Sequence, residues 1–395
     1  MATAGRQLTL IAVVQVLAMA TWFSASAVSP SLMQEWGLGR GAAGLLTVSV
    51  QVGFVVGAVA SALVNLPDIL PAHRLVAVCA LVAAGTTAMT AAFADGLGWA
   101  VPLRLATGVA LAGVYPPGMK LVATWFSRGR GFALAVIVGA LALGSSLPHL
   151  LRGLALPWDL VLYGSAASAA TAAVIALLGI RPGPLGTVAP PLDVRYVLTV
   201  FRHRPSRLAN LGYFGHMWEL YAVWTWLPVF LAASVAAGGA ALPFALSTGV
   251  LAFTAIGVAG AVGCLLAGWW SSRHGPAPTA VVAMVVSGGS CVAAAVLFGR
   301  SPYLMVILCL VWGASVIADS AMFSTSVSET VDPRYVGTAL TIQTALGFLL
   351  TTVSIQLVPL VVDAAGWRVA TLSLAAGPLL GAISMWKLSR SCIPA

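Results

Sequence analysis

Twelve stretches of this chain are apolar over a length that matches a lipid bilayer. About 20 apolar residues span the hydrocarbon core as a helix. Inside lipid every backbone polar group must be satisfied within the protein, which restricts such stretches to helices or closed barrels. The stretches run roughly 8–29, 41–64, 74–94, 98–126, 132–153 and 158–180, then 207–234, 243–271, 277–299, 303–329, 335–361 and 366–388. Their length fixes the class as an all-α integral membrane protein with twelve transmembrane helices. The rest of the composition agrees, since 60% of the residues are hydrophobic and only 7% charged, where soluble chains carry about a quarter charged residues.

The net charge of +9 does not mark a nucleic-acid surface. The basic residues lie in short loops between apolar runs, as membrane topology requires. With a cytoplasmic N-terminus, 13 of the 19 fall on the inner side, Arg128 and Arg195 among them. Four (Arg40, Arg152, Arg300, Arg368) fall on the outer side, and Arg104 and Lys120 lie within a span. This asymmetry predicts that both termini are cytoplasmic. Arg6 before an apolar run, with Ser24-Ala25-Ser26-Ala27 after it, also resembles a secretory leader. The length of the run favours a retained first helix.

One connection is long. Residues 181–206, RPGPLGTVAPPLDVRYVLTVFRHRPS, are rich in proline and arginine, a composition that breaks helices. It predicts a six-helix half over 1–180, a cytoplasmic linker over 181–206 and a second six-helix half over 207–395. The halves read as parallel pseudo-repeats. SRGRGFALAVIVGALALG (127–144) and DPRYVGTALTIQTALG (332–347) both place a basic turn and a glycine before a small-residue helix. Two parallel repeats of six helices are a transporter architecture, with the substrate site near the midplane.

Against this background the chain resembles the major facilitator superfamily over its whole length. The family carries a loop Gly-x-Leu-Ala-Asp-Arg-x-Gly-Arg-Arg after its second helix. The corresponding VNLPDILPAHR (64–74) keeps Asp68 and Arg74 without the glycines. Its repeat, GWWSSRHG (268–275), keeps Arg273 but has Ser272 at the place open to an acid. The resemblance implies a gating latch of charge pairs at Asp68, Arg74 and Arg273. RLATGVALAG (104–113) matches the family's Arg-x-x-x-Gly pattern, whose arginine serves coupling or substrate. YPPGMK and GHMWELY are similar to stretches of bacterial members grouped with nitrate/nitrite porters. The glycine- and asparagine-rich signatures of those porters are absent from GALALGSSLPHLL and GTALTIQTALGFLL. The Gly-Pro-x-x-Gly-Gly of drug–proton antiporters is also absent, with Leu147-Pro148-His149 in that helix. The resemblance implies a bacterial cytoplasmic-membrane transporter, alternating access and no cofactor.

Charged and polar residues inside the spans are costly, and mark pathways or partners. Glu219 lies at the centre of the seventh span, and His216 one turn away at i−3. They form either a proton-binding pair or a structural hydrogen bond. Asp319 in the tenth span is a second proton site, or the counter-ion of Lys120 or Arg104. In the fourth span, Arg104, Gly108 and Tyr115 could line one wall of a cavity before Pro116 and Pro117 break the helix, and a helix broken near mid-membrane points to a binding site or gate at these prolines. Lys120 beyond the break either contacts substrate or snorkels to the interface. Gln15, Met19, Trp22 and Ser26 share one face of the first span, and Trp226 shares a face with Glu219. Gln15, Trp22 and Trp226 are therefore candidate substrate contacts. His149 and Arg152 could form an electropositive vestibule or an interfacial anchor.

The cysteines Cys79, Cys264, Cys291, Cys309 and Cys392 are scattered without a CxxC pair, as structural thiols are. The leading reading is proton-coupled movement of a small anionic solute by a monomer in the lipid bilayer, with protons and solute as its partners. The rivals are efflux of drugs or lipophilic cations, metal-ion transport through Met217 and His216, and a non-transporting membrane sensor. No nucleotide-binding or nucleophile motif points to an enzyme.

Overall fold

A computed structural model of the chain describes residues 2–127, 129–185 and 196–391. Arg128, Arg195, Cys392 and residues 186–195 of the expected linker lie outside the described residues. The chain divides into two compact units, 1–189 and 190–395. Among the described residues there is helix and no strand.

Among the described residues, ten helices are long and apolar enough to cross a membrane. One of them, the 56-residue Val336–Ser391, turns sharply at Gly366, where φ is 81° and ψ 172°. That backbone conformation is open to glycine without steric cost, and it separates an eleventh span from a twelfth. The first span is the shorter Ala2–Met19, followed by Ser24–Ala27 and Ser29–Glu35. Counted in this way, the described helices are consistent with the twelve positions read from the sequence. The bundle is that of a multi-pass membrane protein.

Two boundaries differ from expectation. The first span was expected to run unbroken over 8–29, but the helix stops at Met19 and resumes at Ser24. The expected linker end is already helical, with Val197–Arg202 preceding a seventh span that starts at Arg204. Pro205 does not break that span because it sits in the first turn, where the missing N–H has no intrahelical partner to lose.

Within each unit the helices approach closely through glycine, as in membrane bundles generally. In the first unit, a Cβ on Gly108 of the fourth span would lie 2.1 Å from the Val50 carbonyl oxygen of the second. In the second unit, one on Gly313 of the tenth span would lie 2.0 Å from the Ala255 oxygen of the eighth. The fourth and tenth spans also break at matching places, Gly113–Val114 and Asp319. The internal repeat is therefore visible in packing as well as in sequence.

Candidate functional site

The second unit buries its acids in two separate settings. Glu219, 1% exposed, projects from the seventh span (Arg204–Gly238) between the ninth (Pro276–Leu297) and the tenth (Pro302–Thr330). Its Oε1 accepts from Trp312 Nε1 at 2.6 Å, from Cys291 Sγ at 3.1 Å and from Ser287 Oγ at 2.7 Å. Ser287 Oγ also lies 2.8 Å from Oε2. Every partner is a neutral donor, and among the described residues no cation lies within ion-pair distance of this carboxylate. Donors of this kind hold a carboxylate in low dielectric without cancelling its charge.

Asp319 sits where the tenth span breaks, between helices ending at Ala318 and starting at Ser320. Its Oδ1 lies 2.8 Å from His216 Nδ1, with both side chains about 2–3% exposed. The Ser320 hydroxyl meets the other imidazole nitrogen, Nε2, at 2.9 Å. The hydroxyl can accept from a protonated Nε2 or donate to a neutral one, so the Ser320 contact survives in either form of the imidazole, while Asp319 Oδ1 meets His216 as a close ion-pair contact without an aligned hydrogen bond. The expected Glu219–His216 pair is therefore corrected. The two share a helix face, but Glu219 is drawn to the ninth and tenth spans and His216 to the break.

Arg104 is fully buried in the first unit, on Leu97–Ala112. Its Nη1 donates to the Thr21 carbonyl at 2.9 Å and to Ser24 Oγ at 3.2 Å, and its Nη2 to the Trp22 carbonyl at 2.5 Å. These partners all belong to the break in the first span. The guanidinium replaces the helical N–H donors that the interrupted backbone lacks. The expected wall of Arg104, Gly108 and Tyr115 is not formed. Gly108 is pressed against the second span, and Tyr115 is half-buried. Nor is there a continuous face of Gln15, Met19, Trp22 and Ser26, because the helix ends between the second and third of them. Trp22 packs on Phe54 with ring centroids 4.9 Å apart, and Ser26 pairs with Thr47. Gln15 donates to the Val114 carbonyl at 3.1 Å, just before Pro116 and Pro117. Gly118 leaves room for it, since a Cβ there would lie 2.0 Å from Gln15 Nε2.

Lys120, on the helix that begins at Tyr115, donates to Asp68 Oδ1 at 2.5 Å and to the Pro67 carbonyl at 2.9 Å. Within the first unit Lys120 is thus paired with Asp68, and Arg104 with carbonyls and a hydroxyl. Arg74 is exposed, and Arg273 stacks over the Trp269 ring at 4.1 Å. Of the expected latch residues, Asp68 alone forms an ion pair among the described residues, and its partner is Lys120. The pair is partly exposed, at 28% and 10%, so Lys120→Met should change stability by less than about 1 kcal/mol. The same substitution should speed limited proteolysis between 64 and 71 several-fold, which a protease time course would measure. His149 is buried rather than facing a vestibule. Arg152 binds the Leu156 carbonyl and Ser31 Oγ.

Trp226 donates to the Ile355 carbonyl at 2.9 Å. With Trp312, Trp367 and Phe230 it lines a narrow apolar pocket inside the second unit. Sequence reasoning missed Ser287, Cys291, Trp312 and Ser320. The available signal was Ser287 and Cys291 at i, i+4 on an apolar helix, a polar stripe facing one neighbour.

A profile of the Major Facilitator Superfamily matches residues 11–355. The chain is similar to a gallate transporter of Pseudomonas putida, 29% identical over 303 residues. That match covers 67% of this chain and 65% of the relative's own length. A solved structure of a variant of the nucleoside transporter NupG superposes with a TM-score of 0.74 at 15% identity. It covers 97% of this chain and 98% of that one, a likeness of fold.

Proposed function

The chain belongs to the major facilitator superfamily of secondary transporters of small solutes, and from that premise we propose that it couples the movement of a small organic anion to protons. The observation that carries this reading is the burial of Glu219 among donors only. A carboxylate without a cation has no structural ion pair to explain its place in the membrane, and intramembrane acids of that kind mark proton or ion pathways. Protonation would turn Ser287 from donor to acceptor and weaken the pull of Trp312 and Cys291, loosening the contact of the seventh span with the ninth and tenth. Asp319 with His216 is the second proton site in this proposal, placed at a backbone break that a charge change can bend.

The anionic character of the solute is supported by Arg104. Its guanidinium rests on two carbonyls and a hydroxyl, with no carboxylate partner among the described residues. The first unit thus keeps an uncancelled positive charge that favours an anion nearby. Gallate, the solute named for the relative from Pseudomonas putida, is an aromatic carboxylate, and we assign the same chemical class here. In this proposal the protein is a monomer of a bacterial cytoplasmic membrane with both termini inside.

Proton flux into proteoliposomes, with aromatic and aliphatic carboxylates added one at a time, tests the reading. A proton current that accompanies one aromatic carboxylate and disappears in Glu219→Gln is the expected result. Glutamine can still accept from Trp312, so the variant should remain folded and inserted. Anion-dependent proton uptake of wild-type size in that variant would refute the assignment of Glu219.

A further inference from the structure

Three tryptophans in the second unit each stack with a basic residue four positions later. Arg273 lies over Trp269 at 4.1 Å, and Arg390 lies over Trp386 at 4.0 Å. The His274 ring stacks on Trp270 with centroids 4.2 Å apart and planes within 17°. The tryptophans are 50%, 44% and 43% exposed for Trp269, Trp386 and Trp270. Their partners Arg273, Arg390 and His274 are exposed as well.

All three stacks lie at one end of the unit. The eighth span runs into the ninth through Gly275 alone, so Arg273 and His274 flank the start of the ninth. The ninth packs antiparallel to the twelfth, since Gly288 faces Leu379 and Met284 faces Gly381. That brings Arg390 to the same end. Gly212 and Gly215 against Met385 and Gly377 show that the seventh span is antiparallel to the twelfth. The exposed Arg202, Arg204 and Arg207 at its start therefore join the cluster.

Two acids near this end, Asp332 and the exposed Glu329, form no ion pair with the stacked residues among the described residues. Asp332 is held by Arg334, whose Nη2 and Nε lie 2.7 and 3.1 Å from its carboxylate. This guanidinium keeps the Asp332 carboxyl down at about 2. Among the described residues, Arg273 and Arg390 form no ion pair. A guanidinium centred over an indole keeps N–H donors that the ring does not use, and a guanidinium can take a phosphate in two parallel hydrogen bonds. Half-exposed tryptophan at helix ends belongs at the headgroup level of a membrane.

We propose that this end of the second unit is a binding surface for anionic phospholipid headgroups, with Arg273 and Arg390 as the phosphate contacts and their tryptophans as the platforms. The degenerate loop GWWSSRHG would then serve lipid rather than a charge latch, which accounts for Ser272 in place of an acid. The reading is independent of proton coupling.

The test uses the full chain, purified in mild detergent and incubated with equal amounts of phosphatidylglycerol and phosphatidylcholine. The protein is re-isolated and its lipid counted by mass spectrometry. Wild type should retain phosphatidylglycerol about tenfold over phosphatidylcholine, and Arg273→Gln with Arg390→Gln should abolish the preference. Trp269→Leu with Trp386→Leu keeps both charges and should still reduce the preference several-fold. Arg300→Gln, at the opposite end of the ninth span, should leave it unchanged. Equal retention of the two lipids by wild type, or an intact preference in the double arginine variant, would overturn the proposal. Displacement of the bound lipid by inorganic phosphate at equal concentration would assign the site to a free anion and overturn it too.

Discussion

Gly313→Ala should unfold or aggregate the protein in detergent, while Gly289→Ala leaves it as stable as before or slightly more so. Both glycines are helical and both changes add one methyl. At Gly313 the new carbon would lie 2.0 Å from the Ala255 oxygen and 2.4 Å from its carbonyl carbon. Both are backbone atoms of the eighth span, so no side chain can swing aside. The spans must separate along their length, and overpacking of this kind costs about 3 kcal/mol. At Gly289 nothing lies within 4 Å, and alanine in a helix is favoured over glycine by about 0.5–1 kcal/mol. Thermal unfolding followed by tryptophan fluorescence separates the two variants. Equal melting temperatures would show that the close approach of the eighth and tenth spans is not a stability determinant.

Arg104→Gln should cost about 3 kcal/mol and unfasten the break in the first span. The shorter amide cannot serve both carbonyls, and the Thr21 carbonyl keeps the Ser24 hydroxyl as a donor at 3.0 Å, so the Trp22 carbonyl is the one that stands to lose its donor. A buried carbonyl left without a donor costs about 1–3 kcal/mol, more than the loss of a surface ion pair such as Lys120–Asp68. Arg104→Lys restores the charge but only as a point donor, without the planar fork that serves Thr21 and Trp22 together. It should recover part of the stability. Hydrogen exchange of the amides over 20–27 provides the direct readout, with protection falling at least tenfold in Arg104→Gln and less in Arg104→Lys. Unchanged exchange there would mean that the break holds itself and that Arg104 serves another purpose.

The lateral positions of these residues were harder to read than their depth in the membrane. Glu219 and His216 share a helical face, yet one face of a buried helix meets several neighbours. A turn of three residues was enough to direct Glu219 to Ser287 and Trp312 and His216 to Asp319. Cys291 looked like an inert thiol among scattered cysteines, and its part in holding Glu219 appears only when the seventh and ninth spans are packed together. Pro116 and Pro117 announced the break in the fourth span, because proline removes a backbone donor wherever it stands. The break in the first span has no such mark, since residues 20–23 contain neither proline nor glycine.

Sequence alone determined the helical class, the approximate positions of the spans, the membrane setting and the superfamily. These follow from local quantities: the length of apolar runs against the thickness of hydrocarbon, and short motifs in fixed order. Tertiary structure decided which partners Glu219, Asp319 and Arg104 have. The donors for Glu219, the imidazole against Asp319 and the carbonyls under Arg104 come from helices distant in the chain. Hydrogen bonds act over about 3 Å, and only packing brings those helices within that reach.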